Sequence, residues 1–193
     1  MGPLYPVLLI IERRVLTGML CLCVVICKLS CKAANPELDP EMISSIFVYG
    51  TLKRQECRGA MWPCRPRGMR PAWTHGALFD RSDYPAMTNG TDRVSGERWD
   101  FQYDEMQQVL EVLDAIEGAN QPGSPDLYRR LIVDTWDLPT ESVEVAERNT
   151  VTRAYTYHYA NDPLGDGFMR VSVENTSADP DSQYVCWSAL PRQ

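Results

Sequence analysis

The sequence predicts an α+β fold in which several short strands accompany one prominent helix, and three observations predict it. Ile46-Phe47-Val48-Tyr49 is a run of β-formers that stops at Gly50. Met106, Val109, Leu110, Leu113 and Ile116 recur at the spacing of a single buried helix face. Two later stretches, Ser95 to Tyr103 and Arg153 to Ala160, alternate aromatic with polar residues as half-buried strands do.

The chain has 193 residues, room for one domain with a sizeable core plus appendages. A net charge of -7 and a pI near 4.9 argue against a nucleic-acid partner, which needs a basic footprint. Small polar substrates or proteins fit better. Of seven cysteines, Cys21, Cys23, Cys27 and Cys31 sit in the N-terminal segment, which leaves only Cys57, Cys64 and Cys186 and hence no complete disulfide framework. With only His75 and His158 to join them, no metal site is expected.

In residues 1–41, Val15 to Cys27 is thirteen apolar or small residues flanked by Arg13, Arg14 and Lys28. That is too short to span a bilayer comfortably and resembles the apolar core of an export signal, although Lys28 and Lys32 spoil the small neutral cleavage region. An unstructured extension and a core or anchor helix stay open beside it. Asn35 to Pro40 reads as a linker, with prolines bracketing acids.

The first strand, Ile46 to Tyr49, runs into Gly50-Thr51-Leu52-Lys53. Gly50 removes a Cβ where a ligand or another chain segment comes close, and successive N–H groups at such a turn can hold a carboxylate or an oxyanion. An ordinary turn is the plainer reading. Lys53 to Pro71, rich in Arg, Pro and Gly, reads as a long irregular connection. Its Arg54, Arg58, Arg65, Arg67 and Arg70 are read first as solvated surface charges and second as attraction for an anionic substrate. Trp73 to Phe79 is the next strand, Tyr84 to Met87 an extended piece, and Ser95 to Tyr103 a further strand.

The helix begins at Asp104, a candidate cap with Gln107 as reciprocal partner. Glu117 lies seven residues after Leu110 and four after Leu113, so it falls on the apolar face. It also ends the helix just before Gly118, where the dipole disfavours negative charge. Burial and dipole together would raise its pKa, as suits a general base. The alternative is a frayed helix end with Glu117 turned outward. Asp114 lies off the centre of the face and reads as capping or solvent-facing. Tyr128 to Trp136 and Arg153 to Ala160 are strands, with His158 on a polar face. From Asn161 to Gln193 a loosely packed tail is expected, pinned only at Tyr184 to Trp187.

Taken in order, Val48-Tyr49-Gly50-Thr51-Leu52-Lys53, His75-Gly76-Ala77-Leu78-Phe79, Tyr84-Pro85-Ala86-Met87, Val94-Ser95-Gly96-Glu97, Glu117-Gly118 and Tyr128-Arg129-Arg130 resemble the gamma-glutamylcyclotransferases. The resemblance is to the gamma-glutamylamine cyclotransferase-like branch and spans about Ile46 to Tyr159. It implies a small mixed β-barrel-like sheet, a domain over residues 42–160, and Met42 as the natural start of the chain. It implies Glu117 as catalytic acid/base and a substrate-binding loop at Tyr49, Gly50, Thr51 and Leu52. Tyr128 matches a family tyrosine, and both substrate contact and a core role stay open for it. The implied reaction closes a small gamma-glutamyl substrate on itself to give 5-oxoproline and a free amine, with no cofactor, no metal, no nucleic acid and no membrane role for the main domain. A cytoplasmic location follows unless residues 1–34 are an export signal. Pro122, Gly123 and Pro125 lie in a stretch from Ala119 to Leu127 that exceeds the shortest family versions and leaves substrate choice open. A non-catalytic binding module of the same fold remains the second reading, and a redox protein built on the N-terminal cysteines a distant third.

Overall fold

The computed structural model describes residues 42–138, 150–172 and 183–188. The expected export signal, the linker at 35–40 and the four N-terminal cysteines lie outside the described residues.

In chain order the elements are β1 (Ser45–Val48), β2 (Gly68–Asp80), β3 (Pro85–Asp100), α1 (Met106–Glu117), β4 (Tyr128–Asp137), β5 (Val151–Tyr159) and β6 (Met169–Arg170). The sheet runs β3-β1-β5-β4-β2-β6, and a further β2–β3 pairing joins β3 back to β2. Five strands therefore close into a barrel, while β6 extends the C-terminal half of β2. Among the named strands only β1 and β5 pair in parallel, so the barrel is mixed, as expected. Closure satisfies the strand edges that an open sheet would leave unpaired.

The long β2–β3 hairpin makes closure possible. β3 carries 16 residues, enough to pair with β1 on one side and with the whole of β2 on the other. Here the boundaries differ from expectation. β2 begins at Gly68, inside the presumed irregular connection, because Gly68 to Pro71 pairs with Asp100 to Glu97. The separate extended pieces expected at Tyr84 to Met87 and from Ser95 both fall in one strand, β3, whose residues between Thr88 and Asp92 bulge opposite Gly76 and Ala77 of β2.

Because the sheet is closed, β1 is buried on both faces and reads as a continuous apolar run. Ile46 and Val48 pack with Trp99, Phe101, Met106, Val109 and Leu113 between sheet and helix. Phe47 and Tyr49 join Leu78, Met87, Val94, Val185 and Trp187 in a second cluster that no helix residue enters. The same closure corrects the reading of His158. Its strand has no solvated face at that point: His158 is 6% exposed, and its Nε2 has no partner among the described residues. Burial pushes its pKa down to about 4.

The helix start is also shifted. A 3₁₀ turn, Tyr103–Glu105, precedes α1, and the Gln102 N–H donates to the Glu105 carboxylate at 3.2 Å. Gln107, the partner expected for Asp104, instead donates to Glu111 one turn on, at 2.9 Å. At the other end of the chain Val185 bridges Val94, and Trp187 is buried and donates to Asp80 at 2.8 Å. Packing also resumes soon after β5, where Pro163, Phe168 and Val171 are buried. Among the described residues no helix is long and apolar enough to cross a membrane.

Candidate functional site

The end of β1 and the end of α1 meet at a cavity of about 80 Å³. Tyr49, Gly50, Thr51, Leu52, Glu117 and Tyr128, the residues singled out from the sequence, all line it. Two crossings of the chain bring them together. β1 lies under α1, and the helix ends where β1 hands over to its loop.

The loop after β1 is a chain of tight turns. Lys53 N–H donates to the Gly50 carbonyl at 3.0 Å, and Arg58 N–H to the Thr51 carbonyl at 2.9 Å. Trp62 then stacks on Trp99 at 4.5 Å and donates its indole N–H to the Leu52 carbonyl at 3.2 Å. Such a stack contributes about 0.5–1.5 kcal/mol beyond its buried area, which helps hold the loop down. Carbonyls are thus used within the loop, whereas the N–H groups of Gly50, Thr51 and Leu52 donate to nothing among the described residues. Gly50 is required for a close approach: a Cβ there would lie 2.5 Å from Cγ of Pro85. The close neighbour is therefore the Tyr84-Pro85 segment, which itself lines the cavity.

Glu117 is the last residue of α1, followed by Gly118 in the left-handed conformation (φ 59°). Burial pushes its carboxyl up to about 7, against a smaller opposing effect from the Arg58 guanidinium. A carboxyl with that pKa can accept a proton and return it near neutral pH. Burial, with the nearby Glu117 carboxyl adding to it, holds the Tyr128 phenol far above its ordinary value. Its hydroxyl donates to the Pro85 carbonyl at 2.7 Å, so the Tyr128 proton ties two walls together while its ring faces the cavity. Tyr49 likewise donates to the Tyr157 carbonyl at 2.7 Å.

Eight further residues line the cavity without standing among the site residues expected from the sequence, and Arg58, Tyr84 and Tyr157 are the polar ones among them. Arg58 was one of five arginines in an irregular stretch, and spacing alone does not distinguish it from its neighbours. The 119–127 stretch is a closed loop: Leu127 N–H returns to the Gly118 carbonyl at 2.9 Å, and Asn120 N–H is held by Asp126 at 2.8 Å. Only Leu127, 39% exposed, reaches the cavity from it.

A family model described as gamma-glutamyl cyclotransferase, AIG2-like, matches residues 46–185. The chain belongs to that family. Membership supports a cyclotransferase-type function. Among solved structures, an AIG2-like protein from Mus musculus shares 21% identity over 78% of this chain and 97% of its own, with a TM-score of 0.48. YkqA from Bacillus subtilis shares 19% identity over 61% of this chain and 36% of its own, with a TM-score of 0.42. No curated protein matches the chain. No group of three or more His, Cys, Asp or Glu side chains is arranged to hold a metal ion among the described residues of this gamma-glutamyl cyclotransferase family member.

Proposed function

We propose that this chain is a gamma-glutamyl cyclotransferase that converts gamma-glutamylamines or other small gamma-glutamyl compounds into 5-oxoproline and a free amine. The observation that carries the reading is a carboxyl titrating near neutrality that shares a small cavity with backbone N–H groups lacking acceptors among the described residues. Glu117 takes a proton from the substrate's alpha-amino group, whose nitrogen lone pair attacks the gamma-carbonyl carbon and forms the new C–N bond. The bond to the leaving amine then breaks, and Glu117 returns the proton to the departing nitrogen. No enzyme nucleophile takes part. The N–H groups of Gly50, Thr51 and Leu52 stabilise the substrate's anionic oxygens, and the tight cavity holds the chain folded for attack. Tyr49 and Tyr128 form the walls against which the glutamyl chain rests.

The test incubates the full chain with a panel of gamma-glutamyl amines and amino acids beside Glu117→Gln, following 5-oxoproline by mass spectrometry. Release by the wild type and a drop of at least about a hundredfold in the variant are expected. If no compound yields 5-oxoproline while calorimetry shows a gamma-glutamyl ligand bound, the chain is a binding module and not an enzyme.

A further inference from the structure

Lys53 follows Gly50, Thr51 and Leu52 directly, yet it is not among the residues that line the cavity. Its ammonium is committed to the far end of the chain instead. Nζ donates to the Trp187 carbonyl, lies 4.0 Å from the Cys186 Sγ and 5.9 Å from the centre of the Trp187 ring, and pairs with Glu56 at 3.9 Å. The side chain is only 13% exposed. A lysine normally keeps its charged head in water while its stem lies along the protein. Here the head has given up most of that water for a carbonyl and a carboxylate, and these two partners offset the loss. Within residues 50–53 it is the only side chain with a polar contact outside the loop, among the described residues.

What Lys53 holds on to is itself fixed. Residues 183–188 lie against β3, where the Val185 N–H donates to the Arg93 carbonyl and the Ser95 N–H to the Val185 carbonyl, both at 2.9 Å. Trp187 is buried in one cluster with Phe47 and Tyr49, which line the cavity, and its indole N–H donates to Asp80 at 2.8 Å. The loop's other anchors come later in the chain: the Arg54 N–H on the Glu97 carboxylate at 2.8 Å, and Trp62 on Trp99. We propose that Lys53 is a positioning residue: its ammonium fastens the turn at residues 50–53 to the C-terminal segment at Trp187, and so fixes where the N–H groups of Gly50, Thr51 and Leu52 point. Its backbone serves the same end, since the Lys53 N–H closes the turn on the Gly50 carbonyl. The family match ends at Val185, so the carbonyl that Lys53 grips lies beyond the matched stretch. The catalytic consequence rests on the cyclotransferase reading above; the anchoring itself does not.

The experiment compares the full chain with Lys53→Met, Lys53→Arg, Trp187→Phe and the Lys53→Met, Trp187→Phe double variant. Amide hydrogen exchange reads the turn, and kcat/KM is measured on the compound of the panel above that the wild type converts fastest. In Lys53→Met the two turn amides, at positions 53 and 58, should exchange about tenfold faster or more, while those of α1 keep the wild-type rate. Misplaced N–H groups should lower kcat/KM by about ten- to a hundredfold. Lys53→Arg, which keeps a charged donor, should restore most of both. The pH of the acid limb should stay where the wild type has it, because Lys53 has no part in the shift of Glu117. Trp187→Phe removes the indole donor that fixes the segment to Asp80, and should show the same two changes in smaller measure. The double variant should lose no more than Lys53→Met alone, since both act through one link. Strictly additive losses would overturn the proposal by separating Lys53 from the C-terminal segment. So would a lowered unfolding midpoint in Lys53→Met with turn exchange and kcat/KM unchanged, which is the mark of a merely structural contact. If the wild type converts nothing, the cyclotransferase reading fails and takes the catalytic role with it, whereas the exchange rates alone decide whether Lys53 holds the turn.

Discussion

In the proposed reaction Glu117 concentrates the chemistry in a single side chain, and its titration makes two measurable statements. As a general base with a pKa of about 7, it should give kcat/KM an acid limb of one proton near pH 7. Arg58 opposes the upward shift, so Arg58→Gln should move that limb to higher pH for every substrate. The stability consequence has the opposite sense to that of a salt-bridged carboxylate. Its folded pKa lies above the usual 4.5, so between those values the folded chain holds more protons than the unfolded one. The penalty is absent below about pH 4.5 and fully developed above about 7, where it reaches up to about 3 kcal/mol. Glu117→Gln should therefore be more stable than wild type at pH 8 and no more stable at pH 4.5, as read by urea unfolding at the two pH values. Placement of this carboxylate on the apolar face was legible from its spacing to Leu110 and Leu113. The place of Arg58 in the cavity wall was not, because which arginine of a turn-rich segment lines the cavity depends on how Trp62 pins the segment to β3.

At the scale of the element, α1 is held at its C-terminal end by a residue the sequence left unremarkable. Asp114 is 8% exposed and not solvent-facing. Its carboxylate accepts from Tyr157 at 2.7 Å, from Asn120 at 2.9 Å and from Arg130 at 2.8 Å, while its carbonyl accepts from Ala119 at 2.8 Å. One helix residue thereby fastens β4, β5 and the loop after Gly118 to the turn that carries Glu117. Periodicity placed Asp114 off the apolar stripe, yet the closed sheet surrounds that side too, and three partners offset the desolvation of the charge. Asp114→Ala should lower stability by on the order of 3 kcal/mol, since it leaves the Tyr157 hydroxyl and the Arg130 guanidinium without their acceptor. It should also lower kcat more than it raises KM, because the loosened helix end misplaces Glu117. Chemical denaturation and steady-state kinetics check the two parts separately. Leu113, fully buried against β1, sits one residue earlier, and Leu113→Ala should cost about 2–5 kcal/mol in the same assay.

For the whole molecule, closure of the barrel explains both the gains and the misses of sequence reading. It buries His158, with no partner for Nε2 among the described residues, and burial sets its folded pKa at about 4, below the ordinary 6.5. The folded chain then binds fewer protons in that window, and the stability His158 permits is complete above about pH 6.5 and lost as pH falls towards 4. Glu117 changes stability in the opposite sense over nearly the same range, so the two slopes offset each other in the wild type. Glu117→Gln should expose the acid-side loss, up to about 3 kcal/mol, and a second substitution, His158→Asn, should flatten it. A pH series of unfolding curves on the three proteins tests this. By itself the sequence determined the periodic elements, the strand running into Gly50 and the Glu117-Gly118 helix end, because these follow from local spacing and backbone preference. Only the tertiary structure decided that β2 starts at Gly68, that His158 and Asp114 are buried, and that Arg58 lines the cavity. Each of those depends on contacts between residues far apart in the chain, and local periodicity carries no record of where a sheet will close.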